Sequence, residues 1–150
     1  MLLARRGNIC RSPMAEFVMK HLVDETGLTD RFYIASAATS TEELGSDIHP
    51  GTRRMLDKHG IPHPRRHARQ LRRTEANDWD YIVGMDEENM RNIARMLGPG
   101  ARSKTFKLLS FAGSGADVAD PWYTGNFEAT YRDVLAGCQA LLERIRTEAR

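Results

Sequence analysis

The sequence predicts an α/β protein built in three layers, a four-stranded parallel sheet with helices on both faces. Short runs rich in β-branched and aromatic residues alternate along the chain with segments of helical periodicity, which is typical of consecutive βαβ units. Glycine and proline separate these segments. A hydrophobic content of 41% and a charged content of 28% are ordinary for a globular protein, so the 150 residues are expected to form one domain, 1–150.

Two strands and two helices are predicted in the first half of the chain. A short strand over 2–5 precedes a helix over 13–26, which begins at a proline and ends before a glycine. A second strand is predicted over 32–37. The helix over 50–58 also begins at a proline and is followed by Gly60.

The second half of the chain continues the alternation with two more strands. A β-rich strand over 80–85 leads into a helix over 86–96, which has acidic residues in its first turn. A strand over 105–109 is followed by a long loop over 110–125. The last helix, from 127 to about 148, has its N-cap at the preceding asparagine and repeats apolar residues every three or four positions, so one face is expected to be buried.

The connection between the first strand and the first helix has the composition of an anion-binding loop. Gly7 allows a tight backbone turn, Ser12 suits the helix N-cap, and Pro13 suits the first helical position. The helix would direct its unpaired N–H groups and positive dipole end toward the loop, and the Arg11 guanidinium matches two phosphate oxygens. The predicted phosphate-binding residues are Arg6, Gly7, Asn8, Ile9, Cys10, Arg11 and Ser12.

This loop, with Met14-Ala15-Glu16 after it, resembles the phosphate loop of the low-molecular-weight protein tyrosine phosphatases. The late run Asp120-Pro121-Trp122-Tyr123 resembles the motif that supplies that family's general acid. Further stretches resemble the bacterial branch of the family, in the family's order: 37–40, 48–53, 68–71 and 85–89. The resemblance implies a hydrolase that cleaves aryl phosphate monoesters through a cysteinyl-phosphate intermediate, and a phosphate loop between the first strand and the first helix.

The resemblance also implies roles for individual residues. Arg11 would bind the phosphoryl oxygens, and Asp120 would protonate the leaving oxygen. An aspartate before a proline is also typical of an ordinary loop turn, which is the alternative for Asp120. Ser36 would support the phosphate loop through a hydrogen bond with Asn8.

The predicted substrate is a phosphotyrosine-containing protein or a small aryl phosphate, and inorganic phosphate or another oxyanion would also bind the loop. Trp122 and Tyr123 would wall a slot that stacks on a phenyl ring. The alternative for this pair is a hydrophobic anchor that fixes the loop. Ile9 also favours a phosphotyrosine substrate, because the related protein-arginine phosphatases tend to have threonine at that place.

One position departs from the family pattern. The pattern is a cysteine, five residues and an arginine, and counting back from Arg11 places Arg5 at the position of the nucleophile. A guanidinium stays protonated and offers no lone pair to phosphorus. Cys10 directly precedes Arg11, on the far arm of the loop, so it cannot replace the missing thiol. The chain as written is therefore predicted to be severely impaired or inactive.

Three hypotheses follow from this departure. In the first, the protein is a phosphatase in which Arg5 is an altered residue. In the second, it is a pseudophosphatase that binds phosphate or phosphotyrosine without hydrolysing it. In the third, it is a folded relic with neither property.

Several other functional classes are not expected. No metal or other cofactor is predicted, because the histidines have no partners at metal-ligand spacing. A net charge of +2 and the absence of an aromatic platform within the basic run 65–73 argue against nucleic acid. The chain shows no apolar run long enough for a membrane span and no signal peptide, so the cytoplasm is predicted.

Overall fold

The computed structural model describes residues 2–5, 11–38, 48–65 and 69–148. For residues 2–5, 11, 12, 122 and 123 it describes the backbone alone.

The described part of the chain contains a parallel sheet of four strands. The strands are β1 (Leu2–Arg5), β2 (Ala35–Ala38), β3 (Ile82–Gly84) and β4 (Thr105–Lys107), and they pair in the order β2-β1-β3-β4. This arrangement confirms the predicted parallel sheet. From β1 the chain adds β2 on one side of the sheet, and then β3 and β4 on the other side. The carboxyl end of β1 therefore lies at a topological switch point, which is where open α/β sheets bind ligands.

Helices cover both faces of the sheet, as predicted. On one face lie α1 (Arg11–Glu25), α2 (Pro50–Lys58) and α5 (Phe127–Glu148), which pack against one another. On the other face lies α3 (Glu87–Leu97). Neighbouring residues of β3 divide the core accordingly, since the Val83 side chain joins the first cluster and the Ile82 side chain joins the second.

Some element ends differ from the predicted ones. Helix α1 begins at Arg11, two residues before its predicted start, so Ser12 and Pro13 lie inside its first turn and not at the predicted N-cap and first helical position. β2 begins at Ala35, three residues later than predicted, and residues 32–34 connect it to a 3-10 turn at Thr29–Arg31. β4 ends at Lys107, because Leu108–Ala112 forms another such turn. The predicted loop 110–125 also contains a short helix, α4 (Pro121–Thr124). Buried Leu108 and Leu109 are apolar, so the sequence pattern predicted a longer strand.

Helix α5 begins and packs as its sequence predicts. The Asn126 side chain accepts a hydrogen bond from Ala129 N at 3.0 Å, which confirms the predicted N-cap. Cys138 lies on the buried face of the helix as a free thiol, and burial raises its pKa to about 12. Within the described residues, no helix has the length and apolar character needed to cross a membrane.

Gly137 permits close contact between α5 and the 3-10 turn after β4. A Cβ atom added at Gly137 would lie 2.4 Å from Leu108 Cγ, a side chain that is completely buried. We expect Gly137→Ala to lower the free energy of unfolding by about 1–3 kcal/mol, measured by urea denaturation, because the core must deform to admit the methyl group.

Gly100→Ala is the matched control, because a Cβ atom at Gly100 has no heavy atom within 4 Å. Its free energy of unfolding should change by less than about 0.5 kcal/mol. Equal losses in the two variants would contradict the packing argument.

Candidate active site

Two segments that contain predicted site residues adjoin the carboxyl edge of the sheet: the connection after β1 and the residues before α4. Strand β1 ends at Arg5 and helix α1 begins at Arg11, so residues 6–10 connect them at the switch point. Residues 6–10 and the side chains of Arg5, Arg11 and Ser12 lie outside the described residues. Their predicted roles in binding phosphate remain predictions, and the structure describes the elements around them.

A buried carboxylate links α1 to β2 just behind this connection. Glu16 is 7% exposed, and its two oxygens accept hydrogen bonds from Ser36 Oγ at 2.5 Å and Lys20 Nζ at 2.6 Å. Ser36 was predicted to pair with Asn8, which lies outside the described residues. Because the Ser36 hydroxyl donates to Glu16, a bond to Asn8 would require the Asn8 amide to donate. No role for Glu16 was predicted from the sequence, although this residue lies in the first turns of α1, just after the predicted phosphate loop.

The segment 117–120, which we call the acid loop, is fastened to the same edge of the sheet. Val118 N donates to the carbonyl of Met85, the residue that follows β3, at 2.9 Å. Lys107 Nζ, at the end of β4, donates to Asp117 at 2.9 Å and to Glu87 at 2.7 Å. The hydrogen bonds to Glu87 and Asp117 raise the pKa of Lys107 above its ordinary value, so this cation stays charged.

Helix α5 holds the next residue of the acid loop. Ala119 N donates to Asp133 Oδ2 at 3.1 Å, and the Ala119 carbonyl accepts a bond from Thr130 Oγ1 at 2.8 Å. Asp120 follows, and its carbonyl accepts a bond from Thr124 N of α4 at 3.3 Å. Asp120 therefore lies beside the carboxyl end of β3, which neighbours β1 in the sheet. The backbone of Trp122 and Tyr123 forms part of α4, and their side chains lie outside the described residues.

The stretch 85–89 explains why the end of β3 is a firm attachment point. Met85 N donates to the side chain of Asn89 at 3.0 Å, and Asn89 N donates to Asp86 Oδ1 at 2.8 Å. Asn89 is 1% exposed, so its amide is fixed in the core. The backbone of Met85 thus binds the first turn of α3 through its N–H and the acid loop through its carbonyl.

The stretch 69–71 extends the same edge beyond β2. Ala38, the last residue of β2, donates to the carbonyl of Arg69 at 2.7 Å and accepts from Leu71 N at 2.6 Å, which forms a parallel bridge with Gln70. Arg69 binds Glu75 through two bonds of 3.2 and 3.0 Å. Burial alone would raise the pKa of Glu75, but the bonds from Arg69 and a backbone N–H outweigh it and lower the pKa.

The stretch 49–51 joins α2 to the start of α5. His49 is the N-cap of α2, and its Nδ1 accepts a bond from Gly51 N at 2.9 Å. The His49 ring stacks on the Phe127 ring with 5.1 Å between centroids. A Cβ atom added at Gly51 would lie 2.3 Å from the Phe127 ring, so this approach requires glycine. Burial, and then the charge of Arg54, lower the pKa of His49 below 6.5.

The sequence model of the family described as low molecular weight phosphotyrosine protein phosphatase matches residues 2–150. The chain belongs to this family. The low molecular weight protein-tyrosine-phosphatase PtpA of Staphylococcus aureus (strain bovine RF122 / ET3-1) is 40% identical over 144 residues, which cover 95% of this chain and 91% of that protein.

Solved structures share the fold of this chain. The structure of YfkJ from Bacillus subtilis has a TM-score of 0.95 and 37% identity, and the match covers 99% of this chain and 95% of that one. The structure of SP-PTP, a low molecular weight protein tyrosine phosphatase from Streptococcus pyogenes, has a TM-score of 0.86 and 41% identity, covering 95% of this chain and 90% of that one. The predicted family resemblance is thereby confirmed.

The described part of this phosphatase-family chain contains no group of three or more His, Cys, Asp or Glu side chains that could hold a metal ion.

The His49 cap predicts a pH dependence of stability. Because folding lowers the pKa of His49 below 6.5, the stability that its neutral ring contributes is present above the unfolded pKa and is lost as pH falls through the folded pKa. Protonation of Nδ1 would also remove the acceptor for Gly51 N, a cap worth about 1 kcal/mol. We expect the free energy of unfolding to fall between about pH 7.5 and about pH 5.

His49→Asn is the control, because asparagine caps helices without titrating in this range. The variant should lose part of the difference in unfolding free energy between the two pH values. An unchanged difference would show that His49 is not the titrating group.

Proposed function

We propose that this chain carries the site of a phosphatase for aryl phosphate monoesters, which binds its ligand but hydrolyses it extremely slowly because Arg5 occupies the nucleophile position. One observation carries the proposal. Strand β1 ends at Arg5 and α1 begins at Arg11, so the residue at the end of the central strand is an arginine where the family pattern requires cysteine.

The binding half of the proposal rests on the N-terminus of α1. This helix has 15 residues, and its unpaired N–H groups and positive dipole end face the connection 6–10. The loop amides and Arg11 would hold the three non-bridging phosphoryl oxygens. The Glu16–Ser36 bond fixes α1 against β2 behind this loop, so the donors would be held in place before the ligand arrives.

The catalytic half of the proposal concerns what Asp120 can and cannot do. In the complete reaction, a thiolate attacks phosphorus and forms an S–P bond while the ester P–O bond breaks, and Asp120 gives its proton to the departing phenolate. Water then attacks phosphorus, gives a proton to the Asp120 carboxylate and releases phosphate and thiolate. With Arg5 at this position, no S–P bond can form in the first step, and so none can be hydrolysed in the second. Loss of a nucleophile costs roughly a millionfold in rate, or about 8 kcal/mol of barrier.

The proposed ligand is phosphotyrosine in a protein, or a small aryl phosphate. Trp122 and Tyr123 follow Asp120 directly in α4, and two aromatic rings there would form the walls of a slot for a phenyl ring. Inorganic phosphate would occupy the same loop.

The alternative role is that of a pseudophosphatase that binds phosphotyrosine without turnover. The observation that favours it is the hydrogen-bonded attachment of the acid loop, which is complete in a chain without a nucleophile. The folded relic of the third hypothesis would not require the buried Asn89 amide that binds Met85 at this edge.

The decisive change is Arg5→Cys. We expect the chain as given to show no hydrolysis of phenyl phosphate above background, and Arg5→Cys to raise the rate by at least about 10³-fold, because a thiolate at a helix N-terminus is an activated nucleophile. Release of phenol measures the rate. Arg5→Ala is the control, because it removes the same positive charge without adding a thiol.

Two results would contradict the proposal. Turnover by the chain as given at the rate of Arg5→Cys would show that catalysis does not need a thiol at position 5. Equal activity of Arg5→Ala and Arg5→Cys would show that the charge of Arg5, and not the missing sulfur, limits the reaction.

A further inference from the structure

We infer that Thr130 and Asp133, on the first two turns of α5, are positioning residues that aim the carboxyl group of Asp120. This inference rests on the proposed function, in which Asp120 is the general acid. Neither residue lies in any stretch that resembles the family in the sequence analysis, and their effect on Asp120 follows from the contacts alone.

Thr130 and Asp133 bind the two sides of one residue in the acid loop. Asp133 accepts from Ala119 N at 3.1 Å, and this N–H belongs to the peptide that joins Val118 to Ala119. Thr130 donates at 2.8 Å to the Ala119 carbonyl, which belongs to the peptide that joins Ala119 to Asp120. Each peptide is planar, so fixing both planes fixes the two soft dihedral angles of Ala119. The direction in which the chain enters Asp120 is set by those angles.

Helix α5 can act as the fixed reference for this arrangement. Thr130 is completely buried, and the neighbouring Tyr131 and Val134 side chains belong to the core. The Asn126 cap closes the first turn of the helix. The Thr130 hydroxyl also lies 3.3 Å from the Asn126 carbonyl, so its rotation is restricted. The two side chains therefore hold the acid loop against a rigid element.

The residue after Ala119 is constrained from its other side as well. The Asp120 carbonyl accepts from Thr124 N, and Val118 N is bound to Met85 at the end of β3. Asp120 thus lies between a fixed peptide and the start of α4. A misplacement of about 1 Å in a reacting group costs about 10²-fold in rate, so loss of either contact from α5 should weaken proton transfer specifically.

The test uses the full chain with Arg5→Cys and compares two substrates. Phenyl phosphate needs a proton from Asp120, because its phenolate has a pKa near that of tyrosine, about 10. Nitrophenyl phosphate has a more stable leaving group and needs little protonation. The measured quantity is kcat/KM for each substrate, because it reports the step in which the ester bond breaks.

The variants separate the contact from the fold. Asp133→Ala and Thr130→Val remove the acceptor and the donor. Asp133→Asn keeps an acceptor oxygen, and Thr130→Ser keeps the hydroxyl. Glu143→Ala is the matched control, because it removes an exposed carboxylate from the same helix.

We expect Asp133→Ala and Thr130→Val to lower kcat/KM for phenyl phosphate by about 10-fold to 10²-fold, and that for nitrophenyl phosphate by less than about 3-fold. In the parent Arg5→Cys chain, kcat/KM for phenyl phosphate should decrease at higher pH, where the acid loses its proton. In Asp133→Ala and Thr130→Val this decrease should be smaller. Asp133→Asn and Thr130→Ser should restore most of the rate, and Glu143→Ala should change neither substrate.

Equal losses for both substrates, or no loss for either, would overturn the positioning role while leaving the proposed function intact. No turnover by Arg5→Cys would overturn the proposed function and the positioning role together. Amide exchange of Ala119 in the chain as given is a second readout that needs no activity. Exchange of the Ala119 amide should become faster in Asp133→Ala and should be slower again in Asp133→Asn. Exchange that is unchanged in Asp133→Ala would overturn the inference.

Discussion

The backbone of Met85, at the carboxyl end of β3, is bound through both its N–H and its carbonyl. Its N–H donates to the buried side chain of Asn89, and its carbonyl accepts from Val118 in the acid loop. Since Val118 lies two residues before Asp120, the Met85 backbone ties the segment that carries the Asp120 carboxyl group to the carboxyl end of β3. If it were displaced, α3, the acid loop and the sheet edge would lose their common attachment.

The other contacts of this edge repeat the same physical principle. Two further strand ends are bonded to distant parts of the chain: the Ala38 backbone of β2 pairs with the segment 69–71, and the Lys107 side chain of β4 binds Asp117. The ends of parallel strands carry peptide groups that have no further partner in the sheet, and loops that return to the edge satisfy them. Within the described residues, these hydrogen bonds join the strand ends to the loops that return to the same edge.

Much of this architecture could be predicted from the sequence, because local rules decide it. The apolar residues of α5 repeat with the helical period, and α2 begins at a proline, which suits the first position of a helix. Both helices lie where predicted. The 3-10 turn at Leu108–Ala112 could not be predicted, because its two leucines are buried by α5 and their pattern is that of a strand. Its geometry is a result of tertiary packing.

The candidate site divides in the same way. Asp120 could be singled out from the residues around it, since an aspartate before proline and two aromatics resembles a known motif. Asp133 and Glu16 could not, because each acts through a partner that the sequence does not mark, Ala119 in one case and Ser36 in the other. An acceptor for a single backbone N–H leaves no pattern in composition or spacing. Such residues are found only when the fold brings them into contact.

The central claim is that an oxyanion site remains at this edge although the nucleophile is absent. Its most direct test is the melting temperature of the chain as given, measured in increasing phosphate and in chloride of equal ionic strength. The account predicts that phosphate raises Tm as RT ln(1 + [L]/Kd) requires, and that Arg11→Ala abolishes the rise. Equal melting temperatures in phosphate and chloride would contradict it.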